Sequence, residues 1–329
     1  MNTDSPPTLV QRNRPWLTRA ALGIFVLGLL LRLCYARELP ANVAYELEAA
    51  YRMELGQCPY TDFYFDQFIP IVVWRMLTLV VGSVVAPCCG APSVVTEWFL
   101  NVRVLGLASV LTTNTLCIFS FWLCFSLMDR FGKAVFAGHV KWLILLALAI
   151  ANLAMGFEYG DQQHLFVLCF VPYLLTRFLV LQGADVVFRF KVLTAILAAV
   201  GASFNPIFLL AALTFELAEV VARRNIKVLF EITSAVFLLA SAVILLNLLF
   251  LPKEASQALF GWILPIKYNN LNHDSFGFYG YGSTPECRNI FYLGVLALMF
   301  AAGGLSRFQL LRPLATMACL GLIISLTLI

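Results

Sequence analysis

The sequence predicts an all-α polytopic membrane protein. About nine transmembrane helices and one interfacial or re-entrant helix form a single integral membrane domain over residues 1–329. Three observations carry that prediction. Hydrophobic residues make up 61% of the chain, against roughly 45–50% in soluble globular proteins. Charged residues make up 12%, about half the usual share of roughly 25%. The mean hydropathy of +0.87 comes from repeated apolar runs whose lengths, about 15–25 residues, suit a hydrocarbon layer about 30 Å thick.

The runs fall at residues 18–35, 98–127, 134–155, 164–181, 191–204, 207–222, 226–250, 290–306 and 312–329. Arg12, Arg14 and Arg19 precede the first, and no small-x-small cleavage site follows, so it reads as an uncleaved span and not a signal peptide. Residues 69–85 are long enough to span, yet they carry Arg75 and are closed by Pro87. The basic residues decide how that stretch is placed. If it stays at the outer interface, the inner loops hold Arg12, Arg14, Arg19, Arg130, Lys133, Arg189, Lys191, Arg223, Arg224, Lys227, Arg307 and Arg312. The outer side then holds Arg37, Arg52, Lys253, Lys267 and Arg288. A crossing would move most of the first group outside, against the positive-inside tendency. The N-terminus is therefore expected inside, with outer loops at residues 36–97 and 251–289.

Composition also excludes functions. A net charge of +4 in scattered groups does not make the basic face of a nucleic-acid binder. Nine cysteines contain no CxxC pair, so spacing suggests no metal site. Cys58 and Cys287 both fall outside and could pair.

Acidic residues gather on the outer side, where solvated loops and a polar site at the membrane surface are both consistent with them. In the first outer loop Asn42 suits a helix N-cap, residues 43–55 a short surface helix and Gly56 a stop at the position after the C-cap. Glu46 lies one turn from Asn42 on the same face. The turn at Pro59 then presents Asp62 and Asp66. A second segment runs Gly156-Phe-Glu-Tyr-Gly-Asp-Gln-Gln-His164, with Pro172-Tyr173 beyond it. There His164 could donate to a phosphate or cap the helix entry. A third segment, Gly201-Ala-Ser-Phe-Asn205-Pro206, marks a helix break. The second outer loop interleaves Trp262, Tyr268, Phe276, Phe278, Tyr279 and Tyr281 with glycines, and adds Lys267, His273 and Arg288. Such rings can stack on a sugar face or form an interfacial belt, and the three cations could hold a phosphate.

Over roughly residues 20–220 these segments together resemble the GT-C glycosyltransferases of the protein O-mannosyltransferase and aminoarabinose-transferase type. The first loop keeps Gly56, Pro59, Tyr60, Asp62, Phe63 and Pro70 of that pattern, with the Ala49-Ala50 pair. The second segment matches at Tyr159, Gly160, His164, Leu165, Pro172 and Tyr173. The resemblance implies sugar transfer from a polyprenyl-phosphate donor on the extracytoplasmic face of a bacterial inner (plasma) membrane. It requires no cofactor and is compatible with a divalent cation. The chain departs from the pattern where an Asp-Glu pair would fall, at Asn42 and Val43, and again at Gln162, Gln163 and Asn205. An amide cannot act as a general base. Catalysis would then pass to Asp62, whose turn fixes its direction, to Glu46 or to Asp161. Asn42, Asp66, Gln163, His164, Lys267, His273 and Arg288 would contact substrate. The alternative is a catalytically degenerate relative, a scaffold or partner-binding subunit of another membrane protein. A transporter is a third reading; it would want ionisable residues at mid-span, and the sequence has few, with His139 and Lys141 near an inner end and Arg177, Glu216 and Glu219 near others.

This topology puts residues 130 and 160 on opposite faces of the membrane, with 130 inside. Single cysteines introduced at the two positions should label accordingly with a membrane-impermeant thiol reagent. Outside labelling at position 130 would reverse every later side assignment.

Overall fold

A computed structural model describes residues 15–34, 36, 39–89, 101–133, 136, 140–154, 159–223 and 225–265. Among them there is no β-strand, and one isolated bridge joins Pro59 to Phe63. The helices are α1 (Pro15–Cys34), α2 (Ala41–Glu54), α3 (Ile69–Val85), α4 (Val102–Arg130), α5 (Val140–Ala154), α6 (Gln162–Leu181), α7 (Phe188–Ser203), α8 (Pro206–Arg223), α9 (Ile232–Leu246) and α10 (Lys253–Ala258). Four stretches are long and apolar enough to cross a membrane: Trp16–Cys34, Ile69–Cys89, Val102–Arg130 and Gln162–Leu181. Lys141–Leu153, Phe208–Leu217 and Ile232–Leu246 are apolar but shorter.

Several sequence boundaries move. The run expected at 98–127 is helical from Val102 to Arg130, and that expected at 134–155 from Val140 to Ala154. The run at 226–250 is not one helix. Short 3₁₀ turns at Ile226–Phe230 and Asn247–Phe250 flank α9, and the extended Glu231 separates the first turn from it. The runs at 290–306 and 312–329 lie outside the described residues. Pro206 does break the chain, opening α8 three residues after α7 ends.

Named contacts set the helices side by side. Phe25 stacks on Phe121 at 4.2 Å, and the Asn114 amide donates to the Leu29 carbonyl at 3.4 Å, so α1 runs antiparallel to the later part of α4. Arg32 donates to the Leu153 carbonyl at 3.1 Å, which levels the ends of α1 and α5. Thr194 bonds to Thr176 at 3.1 Å, and a Cβ added to Gly201 would sit 2.6 Å from the Cys169 Cβ. Helices α6 and α7 are therefore antiparallel and unusually close. Phe166 stacks on Phe208 at 4.7 Å, and Tyr173 packs on Phe237 at 5.1 Å, adding α8 and α9.

Helix α4 is longer than this layer. Thr113 lies beside Gly160, just before α6, while residues 102–112 reach about 17 Å further at 1.5 Å per residue. That extension carries Thr112, whose hydroxyl meets Thr78 of α3 at 3.3 Å. Helices α2 and α3, the start of α4 and the segment 253–263 share one apolar core that includes Leu47, Phe65, Ile71, Val104, Leu259 and Ile263. A second layer thus sits on the Cys34 end of the bundle.

The opposite end holds its own buried charges. Arg177 pairs with Glu216 at 3.3 Å and Glu231 at 3.1 Å, Lys191 with Glu231 at 3.2 Å, and Tyr173 donates to Glu216. These bonds tie α6, α7 and α8 to Glu231 at the head of α9.

Gly201→Ala is expected to lower stability by about 1–3 kcal/mol, the usual cost of overpacking. In the double variant with Cys169→Gly, the loss should be smaller than the sum of the single losses. Thermal unfolding in detergent micelles measures both, and an unshifted Tm for Gly201→Ala would show that α6 and α7 can part freely.

Candidate functional site

The motif residues of the first loop build a turn. Gly56, at φ +82°, ends α2 with its N–H on the Met53 carbonyl and the next N–H on that of Arg52. Those two bonds are the left-handed stop that glycine permits. The N-terminus of α2 departs from expectation. Pro40 is the N-cap with no side-chain bond, and Asn42 lies inside the first turn with its side chain free for another partner. After the helix, Asp62 Oδ2 accepts the Cys58 N–H at 2.7 Å, and the Asp62 N–H donates to the Cys58 carbonyl at 3.0 Å. Tyr60 is buried and donates its hydroxyl to the Gln67 carbonyl at 2.8 Å. The turn therefore positions Gln67, and Asp62 is an exposed member of the turn itself.

Residues 119 apart in sequence then meet. Asn42 Nδ2 donates to Asp161 Oδ2 at 3.2 Å. One helical turn on, Glu46 Oε1 accepts from Gln162 Nε2 at 2.8 Å. The same Gln162 amide donates to Gln67, and its oxygen accepts from Asn205 Nδ2 at 3.4 Å. The other Glu46 oxygen binds Arg75 Nε at 2.7 Å and Nη2 at 2.5 Å. Arg75 Nη2 also donates to the Gly160 carbonyl at 2.7 Å, while Nη1 has no partner among the described residues. Both charged side chains are fully buried. Burial pushes the Glu46 carboxyl above the usual range; Arg75 and the Gln162 hydrogen bond pull it back, and the nearby Asp161 adds to the rise.

Beneath this pair lies the turn before α6. Gly160 has φ +83°, and a Cβ there would approach the Thr113 hydroxyl to 3.0 Å, so both backbone conformation and space require glycine. Asp161 is the N-cap of α6, its Oδ1 accepting the Gln162 N–H at 2.8 Å. His164 is 1% exposed; its Nδ1 accepts the Gly160 N–H at 3.1 Å and its Nε2 meets Asn152 Oδ1 at 3.0 Å. Those partners assign the ring proton to Nε2. The Asn152 oxygen also accepts from the Cys117 thiol at 3.2 Å, and Tyr159 donates to Asn114 under the Arg32 guanidinium.

The structure thus gathers Asn42, Glu46, Asp161 and, one layer below, His164. Asp62 stands apart in its turn. Asp66 is half-buried beside Tyr45, whose phenol is raised by burial and by the Asp66 charge. Gln163 is exposed. Lys267, His273, Arg288, Cys287 and Glu158 lie outside the described residues. A cavity of about 50 Å³ is present nearby, but Phe25, Cys117, Phe121, Leu148, Asn152 and His164 help to line it, not Glu46, Asp62 or Asp161. No group of three or more His, Cys, Asp or Glu suited to a metal ion occurs among the described residues.

Sequence reasoning missed Arg75 as the partner of Glu46, and Gln67 altogether. For Arg75 a signal existed, because an arginine in an apolar helix must find an acid or a carbonyl. Comparison of the chain with protein-family models, curated proteins and solved structures finds no match.

Replacing either member of the pair alone leaves a buried charge without its partner. Glu46→Met or Arg75→Met should each cost about 3–5 kcal/mol, while the double substitution should recover most of that loss. Denaturant or thermal unfolding of the three variants tests this coupling, and strictly additive losses would refute it.

Proposed function

We propose that the chain is a glycosyltransferase-like membrane protein that transfers a sugar from a polyprenyl-phosphate donor on the extracytoplasmic side, with Asp161 as general base. The observation that supports this most is the Asn42–Asp161 hydrogen bond at 3.2 Å. Asn42 stands where the resembled enzymes carry a carboxylate, and the contact brings a carboxylate back to that point from another loop. In the reaction, Asp161 Oδ2 takes the proton of the acceptor hydroxyl. The acceptor oxygen bonds to the sugar's anomeric carbon, and the bond from that carbon to the phosphate oxygen breaks. Polyprenyl phosphate departs, and Asp161 later returns the proton to water. Asn42 holds the carboxylate by one oxygen, and the helix cap holds it by the other.

The topology that goes with this reading has about nine spans, a cytoplasmic N-terminus and α3 in the outer layer. Its support is the inner-loop Lys and Arg, together with α3 packing on α2 and on the part of α4 that outreaches the bundle. The bacterial inner membrane enters through the resemblance alone.

A second reading, the non-catalytic subunit, is favoured by one feature. Gln162 bonds to Glu46, Gln67 and Asn205, so the replaced positions Gln162 and Asn205 satisfy each other without a substrate. One set of variants separates the two readings. Asp161→Asn retains a good helix cap but removes the base, so transfer of labelled sugar from polyprenyl-phosphate donors in membranes should fall about 10²–10⁴-fold. Asp62→Asn should leave the chemical step nearly unchanged, and Asn42→Asp, which replaces the amide donor that holds Asp161 with a second carboxylate, should lower transfer. If parent and Asn42→Asp are equally inactive with every donor, and a stable complex with another membrane protein is isolated, the subunit reading prevails.

A further inference from the structure

We infer that His164 and Arg75 are positioning residues for Asp161, acting through the two peptide planes that flank Gly160. The inference rests on the reading of Asp161 as the base, and it assigns His164 no contact with substrate.

Gly160 is a pivot before Asp161, with a positive φ of +83°. A left-handed glycine between two unrestrained peptide planes is a hinge, because glycine populates several backbone regions at similar cost. Here neither plane is unrestrained. The plane joining residues 159 and 160 is held by its N–H, which donates to His164 Nδ1 at 3.1 Å. The plane joining residues 160 and 161 is held by its carbonyl, which accepts from Arg75 Nη2 at 2.7 Å. The two anchors come from opposite layers. Arg75 is fixed by Glu46 of α2, and His164 by Asn152 of α5, which the Cys117 thiol of α4 also holds. The direction in which Asp161 leaves the turn therefore depends on both. His164 has no nitrogen left for a phosphate, and at 1% exposure it is shut off from one.

Two substitutions at His164 divide its two bonds. His164→Asn can keep an acceptor near the Nδ1 position, and hence the Gly160 bond, while giving up Asn152. His164→Gln reaches towards Asn152 and gives up the Gly160 bond. The Gly160 amide should exchange roughly tenfold faster with solvent in His164→Gln, and near the parent rate in His164→Asn, as expected for loss of one buried hydrogen bond. Residue-resolved hydrogen exchange on the full chain in lipid nanodiscs measures this without reference to activity. With polyprenyl-phosphate mannose as donor, kcat should fall about 10²-fold in His164→Gln with little change in KM, and His164→Asn should restore most of it. Parent-like exchange in His164→Gln, or equal acceleration in both variants, overturns the inference, since packing alone would then account for His164. If the exchange pattern holds while the parent and every variant lack transfer activity, the positioning of residue 161 stands and the transferase reading falls.

Discussion

Arg75 and Glu46 pair where neither side chain has any exposure, and the layer above the bundle is arranged around that constraint. A buried ion pair costs less when its remaining donors and acceptors are also used. The guanidinium therefore takes the Gly160 carbonyl, and the second carboxylate oxygen takes Gln162. Each of those bonds fixes something else. The first determines how the chain enters α6, and the second draws Gln67 and Asn205 into the same group. Helices α2 and α3 are thereby tied to the head of α6 by polar bonds, whereas the shared apolar core supplies the area without the direction.

Ion pairs recur at the other end, where Arg177 meets Glu216 and Glu231, and Lys191 meets Glu231. The two groups differ in what surrounds them. The Arg177 group involves α6, α7, α8 and the head of α9, and Tyr173 donates to Glu216. The Glu46–Arg75 group is bordered by the exposed Asn42 and the half-buried Gln67 and Asn205, so polar side chains lead from it to the surface.

Much was legible from local signals. The apolar runs gave α1, α4, α6, α7 and α8 to within a few residues, because helical spans must satisfy their backbone internally and so need long uninterrupted apolar sequence. Gly56 was readable as a stop and Pro206 as a break, each for a backbone reason that acts within a few residues. Asn42 misled, since a side chain that can cap a helix says nothing of whether a distant carboxylate will compete for it. At Asp62 the turn is local, and its carboxylate accepts the Cys58 N–H within that turn.

Sequence by itself determined the helical class, the membrane-type composition, the turn after α2 and the requirement that Arg75 find a partner. Each follows from short-range sterics or from the cost of burying a charge. Only the tertiary structure decided that the partner is Glu46, that Asn42 meets Asp161 across 119 residues, and that His164 faces the Gly160 backbone. Spacing along a chain limits which residues can share a helical face. Which faces of different helices meet is settled by packing the whole bundle, where α4 outreaches its neighbours and leaves room for a second layer.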